Sequence, residues 1–136
     1  MTIRKFIGEW NKDLKWEGAR SRKYNNQVTE TWMIGKKEGA ENFAFRYYQI
    51  NPGGNSNKEQ HGHDHGVFVL HGSGEVLIED DNHDISQGDI IHIPPNALHQ
   101  LRNTGQEVLG FLCVIPARRE KSGKTVWSEE GITFNE

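Results

Sequence analysis

The sequence predicts an all-β domain, and three observations carry the prediction. Short runs of β-branched and aromatic residues recur every eight to twelve residues or so. Fifteen glycines and four prolines punctuate the chain, which favours many turns over long helices. No helix-length segment keeps its apolar residues on a 3.6-residue period. Strands at this spacing, with no helix between them, fit an antiparallel sandwich or barrel.

Each element follows from its own residues. "QVTETWMIG" reads as a strand through Val28, Thr29, Thr31, Trp32 and Ile34. "NFAFRYYQI" is a second strand, ended by the turn signal "NPGGN". "GVFVLHG" is apolar on both faces, so burial on both is expected. "GEVLIED" follows the "GSG" break and is expected to close a hairpin with it. "DNHDI" is a weaker strand. "GDIIHIPP" is a short one stopped by two prolines, and "HQLRN" and "VLGFLCVIP" complete the set. These strands define a β-domain over residues 26–116. Residues 1–25 form an N-terminal arm in which Trp10 and Trp16 seek burial. Residues 117–136 form a charged, glycine-broken extension anchored by Trp127 and Phe134.

Composition narrows the function. The 136 residues suit one domain with a core of its own. Sixteen basic residues against nineteen acidic ones give a net charge of −3 with the signs interspersed, which does not suggest a nucleic-acid-binding field. Cys113 is the single cysteine, so no internal disulfide forms and a reducing compartment is favoured. "MTIRKFIGEW" lacks the apolar run of a signal peptide, and no stretch approaches the ~18 apolar residues of a membrane span. A cytoplasmic, soluble protein is the expectation.

Chemistry concentrates in "KEQHGHDHGVFVLHG". Neutral imidazole and carboxylate are ligands for divalent first-row metals. In a strand, residues i and i+2 face the same way, so Glu59 and His61 can aim at one interior point. His99 lies downstream after the Pro94-Pro95 turn, at the start of a strand that could pair near the first cluster. His92 alternates with Ile91 and Ile93 and is a candidate to line a pocket. Tyr48 and Arg46, on the strand leading into the cluster, could reach a substrate, as could Gln49. His71 sits before Gly72 and is expected at the surface, and Cys113 is expected to be a buried packing thiol.

Two stretches together resemble the motifs of the cupin superfamily. The second motif is matched by Gly88, Pro94, Asn96, His99 and Asn103. The first is matched with Gly72 as its closing glycine in "VLHG", His65 at the Glu-or-His position and His61 at the second histidine of His-x-His. Glu59 then replaces the first histidine, a departure from the family pattern. His63 falls in the variable spacer. An alternative register pairs His61 with His63, but it needs a deletion in the spacer and leaves His65 without a role.

The resemblance covers roughly residues 50–115 and implies a single-domain double-stranded β-helix, the jelly-roll barrel of cupins. It implies one divalent transition metal (iron, manganese, nickel or zinc) held by Glu59, His61, His65 and His99, or by the three histidines alone if Glu59 turns away. Tyr48, His63 and His92 are the candidate substrate contacts. A metal-dependent enzyme of the dioxygenase, isomerase or lyase type follows, acting on a small organic molecule in the barrel. The alternative is a non-catalytic module that binds or senses a small ligand. A homodimer is expected because small single-domain cupins often pair, with no nucleic-acid or membrane partner.

Overall fold

The computed structural model describes residues 1–134. Eleven strands account for its regular structure: β1 (Arg20–Asn25), β2 (Val28–Ile34), β3 (Phe43–Ile50), β4 (His65–His71), β5 (Ser73–Ile78), β6 (Asp81–Ser86), β7 (Ile90–Ile93), β8 (His99–Arg102), β9 (Leu109–Pro116), β10 (Arg118–Lys121) and β11 (Lys124–Trp127). The helical content among the described residues is one 3₁₀ turn, Lys36–Glu38. No helix is long and apolar enough to cross a membrane.

All strand pairings are antiparallel. The larger sheet runs β1-β2-β3-β9-β4-β7, the smaller runs β6-β5-β8, and β10 and β11 form a separate hairpin. One apolar core draws on both sheets. Val28, Ile50, Val69 and Phe111 come from the larger sheet, and Val76, Ile85 and Leu101 from the smaller. The expected all-β architecture is therefore the observed one.

The expected hairpin between "GVFVLHG" and "GEVLIED" does not form. β4 pairs with β9 and β7, whereas β5 pairs with β6 and β8. Both segments carry an apolar inner face, and the two faces pack across the core instead of the strands pairing edge to edge. Gly72 makes the crossing, in a left-handed conformation with φ 83°.

Burial of β4 on both faces is likewise only half realised. Val67 and Val69 face the core, but Phe68 is 41% exposed. Leu70 packs into a second apolar cluster on the outer face, with Leu14, Met33, Tyr47 and Trp16. Residues 6–16 cover part of that face, so the N-terminal segment partly buries Trp16 while Trp10 stays 60% exposed. Residues 20–25 join the larger sheet as its edge strand β1.

His71 is not at the surface but 3% exposed. A register irregularity between Val69 and His71 shifts it to the outer face, opposite Gly110. Gly110 has no side chain, so the imidazole fits there. Its Nε2 lies 2.6 Å from the Tyr47 hydroxyl and its Nδ1 lies 3.1 Å from the Val108 carbonyl.

Candidate metal centre and cavity

The inner face of the larger sheet builds one wall of a cavity of about 250 Å³. Because side chains alternate across a strand, the lining residues come two apart: Glu30 and Trp32 from β2, Arg46 and Tyr48 from β3, His65 and Val67 from β4, and Phe111, Cys113 and Ile115 from β9. Register joins them into rows. Trp32, Arg46, Cys113 and Val67 are successive cross-strand partners. The smaller sheet contributes His99 and Leu101.

Three histidines meet in this cavity. One ring nitrogen from each of His61, His65 and His99 lies within 4.8 Å of the others. His65 comes from the start of β4, His99 from the start of β8, and His61 from the loop before β4. The loop is held in place by backbone bonds: Glu59 pairs with His99, and the Asn96 N–H donates to the His61 carbonyl at 2.7 Å.

The hydrogen bonds orient each ring. His61 Nδ1 lies 3.2 Å from the His63 carbonyl, and His99 Nδ1 lies 2.9 Å from the Ala97 carbonyl. A carbonyl only accepts, so Nδ1 carries the hydrogen in both rings and the Nε2 lone pair is left free. His65 Nδ1 packs 3.2 Å from Cys113 Sγ, which again leaves Nε2 for the centre. The Nε2 atoms of His61 and His65 are 3.1 Å apart, a separation that metal–nitrogen bonds of about 2.1 Å would span. Convergent neutral nitrogens with their far nitrogens tied to acceptors are the donor set that a divalent metal takes. The residues present therefore fit such an ion.

Burial disfavours the protonated form of His65, His99 and the neighbouring His63. Burial, aided by nearby Arg46, pushes the His65 pKa down to about 2. Burial also lowers His99. His63 stacks on His61 with ring centroids 3.9 Å apart, and its pKa falls to about 4, from burial first and then from His61, Arg46 and Arg119. Glu59 places a carboxylate oxygen 3.4 Å from His61 Nε2 and lines the same cavity.

The other candidates divide. Tyr48 lines the cavity, but its hydroxyl is engaged within the protein, donating to Glu30 and accepting from Arg46 Nη1 at 2.5 Å. It offers a ring stacked on Phe111 rather than a free donor. His92 is misplaced by the sequence reading. Its side chain is 65% exposed and bonds Asp64 at 2.8 Å on the outer surface. β7 is an edge strand, and the alternation that buries Ile93 turns His92 out. Gln49 also points outward, bonding the Tyr47 hydroxyl.

Sequence reasoning missed the buried chain behind the histidines. Glu30 is 1% exposed and receives bonds from Arg22 Nε at 2.7 Å, Trp32 Nε1 at 2.6 Å and the Tyr48 hydroxyl, with Arg46 Nη1 at 3.7 Å. Burial opposes ionisation of Glu30, but Arg46 and the bonds from Arg22 and Tyr48 outweigh it and hold its pKa below the usual value. Arg46 Nη2 continues to Cys113 Sγ at 3.1 Å and so to His65. Cys113 is buried, as expected, and burial raises its pKa despite Arg46. The available signal was Glu30 itself, a charge between Val28 and Trp32 on the inward face of an alternating strand.

Residues 46–115, just over half of the chain, match the cupin domain family. The chain belongs to the cupin family. A solved cupin-2 domain from Rhodospirillum rubrum superposes on this cupin with a TM-score of 0.74 at 28% identity, over 91% of this chain and 84% of the other. A cupin 2 conserved barrel domain protein from Rhodopseudomonas palustris gives 0.72 at 30% identity, over 88% and 83%. Among curated proteins, a 1-methylthio-D-xylulose 5-phosphate methylsulfurylase of Rhodospirillum rubrum is 40% identical over 76 residues. That match covers 56% of this cupin and 49% of the relative, so the cupin spans about half the relative's length.

Proposed function

We propose that this cupin is a metal-dependent enzyme acting on a small, polar organic molecule held in the cavity between its sheets. The observation that carries the reading is the convergence of His61, His65 and His99, two of them with Nδ1 tied to a backbone carbonyl. His61, His65 and His99 would hold one divalent ion, iron, manganese, nickel or zinc, and Glu59, whose carboxylate lies 3.4 Å from His61 Nε2, would be a fourth ligand. Such an ion, when bound, would supply Lewis acidity toward a carbonyl or hydroxyl oxygen. Residues 26–116 form the catalytic domain, which the flanking segments cover and line.

The protein's own residues do the rest. The apolar floor of Trp32, Val67, Phe111 and Ile115 excludes water and grips the carbon skeleton. Cys113 and the carbonyls of His63 and Ala97 fix the three rings in the orientation that leaves Nε2 free. His63, neutral and stacked on His61, walls the site beside the ligands.

The relative's name specifies a phosphorylated ketose, which carries a carbonyl beside a hydroxyl. Such an oxygen pair suits an ion with open positions, and this supports an enzyme over a sensing module. A second copy would find an apolar contact at Phe68 and Ile90, exposed cross-strand partners at the sheet edge, and a homodimer through them is part of the proposal.

Elemental analysis of the purified protein tests the metal assignment. One equivalent of a divalent transition metal is expected, lost in both His61→Ala and His99→Ala while the β-sheet circular dichroism is retained. Metal content unchanged in both variants overturns the reading.

A further inference from the structure

The cavity wall carries three guanidiniums, from Arg22, Arg46 and Arg119, against two carboxylates, from Glu30 and Glu59. Arg22 and Arg46 share Glu30. Arg119 has no carboxylate partner within 4.0 Å among the described residues, and its Nε is buried without any hydrogen-bond partner. A buried, unanswered guanidinium nitrogen is costly unless something else answers it.

Arg119 is also held in place. It sits on β10, paired with Val126 of β11, and alternates with Arg118, which stacks on Trp127 with its Cζ 3.9 Å from the ring centroid. Alternation therefore sends Arg118 and Arg119 to opposite faces of the hairpin, and Arg119 is the one that lines the cavity. The hairpin is pinned to the end of β9: the Ser128 hydroxyl donates to the Pro116 carbonyl at 2.6 Å, and the Ser128 N–H donates to the Ala117 carbonyl at 2.8 Å. Arg22 uses only Nε within the protein, leaving both Nη groups without a protein bond among the described residues.

We infer that Arg119, together with the free Nη groups of Arg22, forms an oxyanion-binding site in the cavity, so that the substrate carries a phosphate or a carboxylate. This rests on the reading of the cavity as the substrate site. A guanidinium presents paired N–H donors that match phosphate and carboxylate oxygens, and the apolar surroundings strengthen the contact. Arg119 lines the same cavity as His61, His63, His65 and His99. An anion bound there sits in the same compartment as the candidate metal ligands.

Calorimetric titration tests the inference with D-xylulose, D-xylulose 5-phosphate and D-xylonate, on protein whose metal content is measured in the same samples. At least one of the two anions is expected to bind tenfold or more tighter than xylulose, and the one that does identifies the group as phosphate or carboxylate. Arg119→Gln is expected to abolish that preference without changing metal content. Arg119→Lys, which keeps the charge but not the fork, is expected to lose several-fold, and it serves as the readout if the glutamine variant does not fold. Equal binding of all three compounds, or a full preference retained in both variants, overturns the inference. Anion preference in protein that holds no metal upholds it and overturns the metal assignment; metal without anion preference does the reverse.

Discussion

Glu59 and His99 stand opposite one another in an antiparallel bridge and exchange both backbone hydrogen bonds, Glu59 N–H to the His99 carbonyl at 3.0 Å and His99 N–H to the Glu59 carbonyl at 2.9 Å. Residues paired in this way project from the same face. Main-chain pairing thus starts Glu59, which departs from the family's His-x-His pattern, on the same face as His99, and its side chain lines the same cavity. Glu59→Gln keeps the shape and the bridge but removes the charge. Metal affinity, measured by chelator competition, is expected to fall at least about tenfold. Unchanged affinity with reduced turnover would instead make Glu59 a group that moves a proton.

Glu30 anchors the buried chain that ends at His65. Glu30→Gln leaves Arg46 buried without its counter-charge, and breaking a buried pair from one side costs about 3–5 kcal/mol. Chemical denaturation of the variant should show a loss of that size. A loss below about 1 kcal/mol would mean that Cys113 and Tyr48 alone satisfy the guanidinium.

Gly72 turns the chain from one sheet to the other. Its φ of 83° is unfavourable for a side chain, and a Cβ there would collide with the Val108 carbonyl oxygen and come within 2.9 Å of Leu109 Cα. Gly72→Ala is expected to destabilise the protein by at least about 2 kcal/mol. A melting temperature equal to that of the parent protein would contradict this account of the crossing.

Acid should weaken the metal-free protein. In the unfolded chain each histidine takes up a proton near pH 6.5. In the folded protein burial, first among the causes, holds His63 at about 4 and His65 at about 2, and lowers His71 and His99 as well. Below about pH 6.5 the unfolded state therefore binds more protons, so stability rises with pH and is lost as pH falls from about 6.5 towards 4 and below. The urea midpoint of protein stripped of metal is expected to be lower at pH 5 than at pH 7.5. A midpoint that holds or rises would show that these imidazoles are not kept neutral by the fold.

The sequence by itself determined the strands β2 to β9, the turn glycines and the histidines at motif spacing, because alternation and glycine punctuation are local properties of a chain; β1, β10 and β11 formed in segments it read as an arm and an extension. His61, His65 and His99 were legible for that reason, whereas Tyr48 and Gln49 were named alike and only the sheet sent Tyr48 inward and Gln49 outward. Tertiary structure decided what depends on which strand lies beside which. β4 and β5 share a core but no hydrogen bonds; a one-residue bulge buries His71 against Tyr47; an edge position turns His92 to solvent. Arg119 belongs to the same class. It stands in a charged stretch with no pattern, and only the packing of its hairpin against the end of β9 brings it into the cavity. Pairing partners far apart in sequence are chosen by burial of the whole apolar surface at once, and that choice leaves no trace in any short run of residues.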